Sequence, residues 1–241
     1  MTSVRLTLDR GQFAGKTGRG VRIAVVDSGI AAGHPHVGEV ASGVCLICEE
    51  DGRTDSGDRH GHGTAVAAAI REKAPEAELI AVRVFERTLA TQSEVLAQAM
   101  RWAADHGAHL INLSLGTPNA SRGAILSEAL DHATSRGALV VAALESDGHA
   151  MFPGALPGAV GVRLDPHCAR DELIVHQPAS RSLHLAASGF PRPIPGVPPE
   201  RNLFGISFAV ANGTGFLARL LEGRSATSPG ELAELIESAP R

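Results

Sequence analysis

Short apolar runs that alternate with helical segments constrain the fold of this 241-residue chain most strongly. The clearest run is RIAVVDSGI at 22–30, and similar runs follow at 78–85, 109–116, 138–144 and 158–164. None of them shows a regular alternation of apolar and polar residues, which is typical of strands buried on both faces. The pattern therefore predicts a buried, mainly parallel sheet.

Helices are predicted between these strands by Ala-rich or amphipathic segments. They cover 64–73, 93–106, 121–136, about 207–221 and 229–238. Gly107 and Gly137 follow two of them at positions where glycine commonly ends a helix. Strands that alternate with helices indicate βαβ units and an α/β fold with helices on both faces of the sheet. No linker or repeat divides the chain, so we expect a single domain over 1–241, with short strands and loops at 163–204.

Composition excludes several classes of function. The formal net charge is −4 and aromatic residues make up 3% of the chain, with no tyrosine, so neither a basic face nor a base-stacking platform for nucleic acid is expected. No apolar run approaches the roughly 18 residues of a membrane span. The N-terminal stretch lacks the apolar segment of a signal peptide, which predicts a cytoplasmic protein unless a signal was removed.

Three cysteines are too few for a disulfide framework. Cys45 and Cys48 form a C-x-x-C with apolar flanks, and we expect ordinary buried thiols because a zinc site needs about four ligands. An acidic stretch follows, comprising Glu49, Glu50, Asp51, Asp55 and Asp58. A solvated loop is the first expectation for it, and recognition of basic substrate residues or a calcium site are the alternatives.

Three polar residues stand where predicted strands end or helices begin. Asp27 follows IAVV, His62 lies in GHGT before a helix, and Ser207 lies in FGISFAVA. Taken singly, each suits a turn or a helix cap. Taken together, they supply the carboxylate, imidazole and hydroxyl that nucleophilic catalysis by serine requires.

The segments around these residues resemble those of the subtilisin-like serine protease family. VVDSGI resembles the family's aspartate motif, GHGTAVA its histidine motif, LINLSLG its substrate-binding strand and GISFAVA its nucleophile motif. The chain order Asp, His, Ser is the order known for subtilisin. The resemblance extends over about residues 20–220 and implies a three-layer αβα fold with a mainly parallel central sheet and no evident propeptide.

This resemblance implies a serine endopeptidase that acts on a peptide or protein substrate without a metal or other cofactor. Asp27 would orient the imidazole, His62 would take the proton, and Ser207 would attack the carbonyl to form an acyl-enzyme. The helix N-terminus at Ser207 would face the developing oxyanion.

Substrate-binding residues are also implied by the resemblance. Strand addition of a peptide backbone would use Ser114, Leu115 and Gly116, with Gly116 leaving space beside the substrate. The pocket for the side chain before the scissile bond would be lined by Ala142, Ala143, Leu144 and Glu145, with 88–93 as the opposite wall.

One run departs from the family pattern at the oxyanion site. In AALESDG, Ser146 stands where the family has its oxyanion-hole asparagine, and Leu144 and Glu145 stand where Ala and Gly are usual. Ser146 is the predicted hydrogen-bond donor to the oxyanion, although its hydroxyl reaches less far than an asparagine amide. Alternatively, a one-residue register shift or a side chain from elsewhere in the chain supplies this donor. An ionised Glu145 beside the oxyanion would raise the activation barrier of peptide hydrolysis. If Glu145 faced the substrate pocket instead, it would favour substrates with a basic side chain.

Two functions follow from these features. The first is a serine endopeptidase. Its narrower forms are selective processing of one peptide, for example a natural-product precursor, and transfer of the acyl group to an amine. The alternative is a catalytically impaired peptide-binding protein with the same fold, which the lost asparagine motivates.

Overall fold

A computed structural model describes residues 2–49, 53–177 and 183–238. Their strands are β1 Thr2–Thr7, β2 Arg22–Asp27, β3 Ser42–Cys45, β4 Glu78–Arg83, β5 Leu110–Leu113, β6 Leu139–Ala143, β7 Glu145–Ser146, β8 His149–Ala150, β9 Val160–Leu164, β10 Glu172–Gln177 and β11 Leu183–Ala187. Their α-helices are α1 His62–Lys73, α2 Ser93–Asp105, α3 Gly123–Ser135, α4 Ile206–Leu221 and α5 Pro229–Glu237. No helix in these three ranges is long and apolar enough to span a bilayer.

Within the described residues, nine strands form one sheet in the order β1-β10-β11-β9-β6-β5-β2-β4-β3. The seven strands from β11 to β3 are parallel to one another, and β10 and β1 add to the edge as antiparallel strands. The remaining pair, β7 and β8, forms a short hairpin. The predicted mainly parallel sheet is confirmed.

Helices cover both faces of this sheet. Along β2, Ile23 and Val25 belong to the core that α1, α4 and α5 cover, whereas Ala24 and Val26 belong to the core under α2 and α3. Successive side chains of a strand point to opposite faces, so a fully apolar strand contributes to two cores at once. The result is the three-layer αβα arrangement that the sequence predicted.

Local details differ from the prediction. Two strands, β1 and β3, lie in segments for which no strand was predicted, because the prediction relied on continuous apolar runs. In β1, apolar Val4 and Leu6 alternate with polar residues, which is the pattern of a strand with one buried face, and β3 is only four residues long. Helix α1 begins at His62 instead of residue 64, and α4 begins at Ile206, one residue before Ser207.

The prediction of free thiols at the C-x-x-C is wrong. Cys45 and Cys48 form a disulfide with their Cα atoms 5.5 Å apart, a distance within the range that a disulfide requires. The turn after β3 brings the two residues together, which the apolar flanks did not reveal. Cys168 is the buried free cysteine of the described residues, and burial raises the pKa of its thiol to about 11.

The fold brings two strand ends and two helix starts to one edge of the sheet. Strands β2 and β5 are neighbours, with Val26 opposite Leu113, so their carboxyl ends lie side by side. Helices α1 and α4 lie on the same face and contribute to one core. Such an edge is where α/β proteins usually bind ligands.

Candidate active site

Asp27 and His62 form a hydrogen-bonded pair at this edge. Asp27 ends β2 and its side chain is completely buried, while His62 begins α1 with 21% of its side chain exposed. The imidazole Nδ1 lies 2.7 Å from Asp27 Oδ1. The same Oδ1 accepts the Ser28 backbone N–H at 2.7 Å. Nδ1 is therefore the donor nitrogen and Nε2 is left as the basic one.

The pKa of His62 is raised above its ordinary value. Burial of the ring opposes protonation and is the largest single influence. The hydrogen bond and charge of Asp27, together with the charge of Asp58, outweigh burial. Two carboxylates thus favour the protonated form of His62. A general base needs this, because it carries a proton during the reaction.

Ser207 lies in the first turn of α4. The ring of the next residue, Phe208, has its centroid 5.9 Å from that of His62. The Ser207 hydroxyl donates to the carbonyl of Ser114 at 3.1 Å, and among the hydrogen bonds of the described residues none joins it to His62. Gly205 provides no side-chain cap for α4. The Phe208 N–H donates to the Gly205 carbonyl at 3.1 Å, so the N–H groups of Ile206 and Ser207 are the ones from which an anion at this helix start could accept hydrogen bonds.

A buried polar network holds the Ser207 turn beside the strand end. The Ser114 hydroxyl donates to the Ser207 carbonyl at 3.1 Å and accepts a hydrogen bond from Asn112 Nδ2 at 2.9 Å. Asn112 Oδ1 in turn accepts from the Thr214 hydroxyl of α4 at 2.9 Å. Nothing in the sequence indicated the Asn112–Thr214 hydrogen bond, because these two residues are 102 positions apart in the chain.

Asp58 is a second carboxylate near the imidazole that the sequence assigned to a solvated loop. It accepts hydrogen bonds from the Ser28 hydroxyl and from the backbone N–H groups of His60, Gly61 and Thr64 at 2.8–2.9 Å, and from the Thr64 hydroxyl at 2.5 Å. The available signal was an aspartate just before a helix start, which is typical of capping.

The rest of the acidic stretch is only partly described. Asp55 is exposed, as expected for a solvated loop, and it pairs with Arg59 at 2.6 Å and with the buried Arg83 at 3.3 Å. Glu50 and Asp51 lie outside the described residues.

The predicted substrate strand follows β5 directly. Ser114 is buried, while Leu115 and Gly116 are partly exposed. A Cβ on Gly116 would lie 2.8 Å from the Phe152 carbonyl oxygen, and Thr117 and Phe152 exchange hydrogen bonds of 2.9 Å. The space beside Gly116 is therefore occupied by the protein's own backbone at Phe152.

The predicted pocket residues are largely turned inward. Ala142, Ala143 and Leu144 are buried, at 0%, 3% and 7% exposure. Leu144 packs on Gly161, where an added Cβ would come within 2.9 Å of its Cδ1. Across from them, Leu89 of the predicted opposite wall is 51% exposed.

The departures from the family pattern lie on the hairpin. Glu145 pairs with Arg163 of β9 at 3.3 Å, on the outside of the hairpin. The Ser146 hydroxyl donates to Asp147 at 3.1 Å, so it is directed to a neighbouring carboxylate. The oxyanion role of Ser146 stays a prediction.

A cleft of about 450 Å³ lies beside the N-terminal turn of α1. Thr64 and Ala65 line one side, and Arg192 and Leu203 from the segment before α4 line the other. This segment also exposes large apolar side chains, with Leu203 at 55% and Phe204 at 49% exposure. Gly61 and Thr64, which stand on either side of His62 and Gly63 in the chain, line this cleft, whereas His62 and Ser207 are not among its lining residues.

An α/β protein with a buried carboxylate–imidazole pair next to a serine at a helix N-terminus has the parts that a serine hydrolase needs. The chain matches the Subtilase family over residues 18–158. It is 34% identical over 223 residues to Subtilisin Savinase of Lederbergia lenta, covering 88% of this chain and 77% of that protein. It is 36% identical over 211 residues to the M-protease of Shouchella clausii (strain KSM-K16), covering 83% of this chain and 51% of that protein. The chain therefore belongs to the subtilase family of serine endopeptidases.

Solved structures agree on the fold. A cold-adapted subtilisin-like serine proteinase matches with a TM-score of 0.71 at 22% identity, covering 97% of this chain and 86% of that one. A lanthipeptide protease matches with a TM-score of 0.67 at 20% identity, covering 89% and 78%. At these identities the likeness supports the common architecture alone.

Proposed function

We propose that this protein is a serine endopeptidase in which Asp27, His62 and Ser207 form the catalytic triad. The observation that carries the proposal is the 2.7 Å Asp27–His62 hydrogen bond, with the ring of Phe208, the residue after Ser207, 5.9 Å from the imidazole ring between centroids. His62 Nε2 would take the Ser207 proton during attack on a peptide carbonyl. It would then return that proton to the leaving amine, and water would hydrolyse the acyl-enzyme.

Substrate binding would free the nucleophile. The Ser207 hydroxyl now donates to the Ser114 carbonyl, which belongs to the segment predicted to pair with a peptide backbone. A substrate N–H that took this carbonyl would displace the hydroxyl, and rotation about the Cα–Cβ bond would turn it towards His62. The cleft lined by Ala65 and Leu203 would receive the peptide beyond the scissile bond.

The oxyanion would be stabilised chiefly by the N–H groups at the start of α4. This end of the helix has no side-chain cap, and its dipole favours a negative charge. The Ser146 hydroxyl would add a second donor only after it left Asp147. We therefore propose that the protein is a slow, selective processing protease. This narrower proposal rests on the altered residues 144–146. It does not rest on the lanthipeptide protease, which resembles this chain in fold alone.

The test is labelling with a fluorophosphonate probe, which reacts with an activated serine. We expect wild-type protein to be labelled at Ser207 and Ser207→Ala to lose labelling, with peptide cleavage reduced by at least about 10³-fold. Ser121→Ala removes an exposed serine that lies outside the site, and this variant should keep both the probe labelling and the peptide cleavage of wild type. Rapid, general digestion of casein would contradict the selective role while leaving the peptidase proposal intact.

One observation favours the alternative of a peptide-binding protein without catalysis. The Ser207 hydroxyl is held by Ser114, and Ser146 is held by Asp147, so neither faces a reacting carbonyl in this conformation. Folded wild-type protein that bound a peptide, resisted the probe and left the peptide uncut would support this alternative against the peptidase.

A further inference from the structure

Asp58 connects the two pieces of chain that carry the Asp27–His62 pair. Its Oδ1 accepts from the hydroxyl of Ser28, the residue that directly follows Asp27, at 2.8 Å. The same oxygen accepts from Gly61 N at 2.9 Å, and Oδ2 accepts from Thr64 N at 2.8 Å, on either side of His62. One carboxylate thus spans the end of β2 and the start of α1.

Two further hydrogen bonds close this arrangement. Ser28 Oγ accepts from Gly63 N at 3.0 Å, and Thr64 Oγ1 accepts from Ala31 N at 3.0 Å. Both link the loop after β2 to the first turn of α1. Because Gly61 has no side chain to cap the helix, Asp58 supplies the capping acceptor from outside it.

Asp58 also adds charge without direct contact with the ring. Partial burial opposes its ionisation, but hydrogen bonds from the Thr64 hydroxyl and from the backbone of His60, Thr64 and Gly61 lower the pKa of its carboxyl. It is therefore an anion at neutral pH, close enough to favour a positive charge on His62.

Apart from Asp27 and Asp58, the charged groups near the imidazole are paired with other residues or lie at the far ends of their helices. From β2 the ring meets Asp27, and from α4 it meets the ring of Phe208 and the Ser207 turn, which carry no charge. On the loop before α1, Arg59 pairs with Asp55, and the His60 ring hydrogen-bonds to the Glu86 carbonyl. The charged residues of α1 and α4 themselves, Arg71, Glu72, Lys73 and Arg219, stand in their last turns.

We infer that Asp58 is a positioning residue for the proposed reaction, which holds the His62 turn against Asp27 and, as a second carboxylate, stabilises the imidazolium formed during catalysis. The inference rests on the proposed function, because the imidazolium forms only if His62 takes the Ser207 proton. A cap with no such role would stabilise the helix and leave the titration of His62 unchanged.

The test is Asp58→Asn, which keeps an acceptor of similar shape but removes the charge. NMR titration of the His62 ring should show a lower pKa than in wild type. The acid limb of the kcat/KM profile should move to lower pH, and kcat should fall between about 10- and 100-fold with little change in KM. Asp55→Asn is the matched control on the same loop, and its His62 titration should equal that of wild type.

An unchanged His62 titration in folded Asp58→Asn would overturn the inference, even if stability fell. Should that variant fail to fold, Ser28→Ala removes the hydrogen bond that links Asp58 to the end of β2 and the acceptor of the Gly63 N–H, while the Asp58 cap on the Thr64 N–H remains. It should lower kcat at constant KM, and wild-type kcat in Ser28→Ala would equally overturn the inference. The NMR titration needs no activity, so a shifted His62 in a protein that the fluorophosphonate probe does not label would refute the proposed function alone.

Discussion

At the scale of single residues, the site depends on how closely two backbone segments approach. A Cβ on Gly63, the residue after His62, would lie 2.1 Å from the Gly29 carbonyl oxygen and 3.1 Å from Asp27 Cβ. No side chain fits in that gap, so glycine is what lets the first turn of α1 reach the end of β2. The Asp27–His62 distance is thus a consequence of the smallest residue standing beside the histidine.

Gly63→Ala should separate the two segments. Overpacking of this kind costs about 2–3 kcal/mol of unfolding free energy, and displacement of the imidazole should lower the turnover of a cleaved peptide about 100-fold. Chemical denaturation and steady-state kinetics measure the two effects. Gly123→Ala is the matched control, because Gly123 has helical backbone angles and no atom within 4 Å of an added Cβ. Equal behaviour of both variants would contradict the argument.

At the scale of elements, a small disulfide ends β3 and leads into the loop that carries Asp58. Cys45 pairs with Arg83 in the β3–β4 register, and its N–H donates to the Arg53 carbonyl at 2.7 Å. Arg83 in turn contacts Asp55 at 3.3 Å. The edge strand β3, the buried Arg83 and the loop residues Arg53 and Asp55 are therefore connected to one another.

Replacing both cysteines, Cys45→Ser with Cys48→Ser, should lower the unfolding free energy by about 2 kcal/mol, because a four-residue covalent loop restricts the unfolded chain only modestly. Denaturant titration with and without a reducing agent is the measurement. Reductant should bring wild type to the stability of the double variant and leave the variant unchanged. A reductant effect of the same size in the variant would mean that the disulfide is not the cause.

At the scale of the whole molecule, one side chain joins the beginning of the fold to the end of α4. The Glu222 carboxylate accepts from the backbone N–H groups of Thr17 at 2.6 Å, Gly18 at 2.8 Å and Arg19 at 3.3 Å. Limited burial opposes its ionisation, but these hydrogen bonds outweigh burial and lower the pKa of Glu222. The segment that leads into β2 is thereby fastened to the helix that carries Ser207.

The stability that Glu222 provides should depend on pH. Because its folded-state pKa is lower than its unfolded value, the contribution is complete above the unfolded pKa and is lost as the pH falls through the folded pKa. Glu222→Gln should therefore lose about 1 kcal/mol at pH 7, as measured by denaturation, and nothing at a pH below both values. Glu237→Gln, exposed at the end of α5, should match wild type throughout. A pH-independent loss in Glu222→Gln would show that its charge plays no part.

The sequence by itself determined the strand–helix alternation, and the resemblance of three motifs to a known family indicated Asp27, His62 and Ser207 as the proposed triad. Apolar periodicity reflects the burial of each residue within its own element, so it can be recognised without knowing which elements meet. For the same reason the parallel sheet and the positions of most helices were predicted correctly, with boundaries shifted by a few residues.

Only the tertiary structure decided which groups face one another. The edge strands β1 and β3, the disulfide, the partner of Glu145 and the acceptor of the Ser207 hydroxyl all depend on register and packing between distant segments. Asp58 belongs in part to the same class, since its position just before a helix start indicates a cap but does not indicate the hydrogen bond from Ser28. The Ser28–Asp58 hydrogen bond exists because the end of β2 and the start of α1 pack together, and local sequence carries no record of that contact.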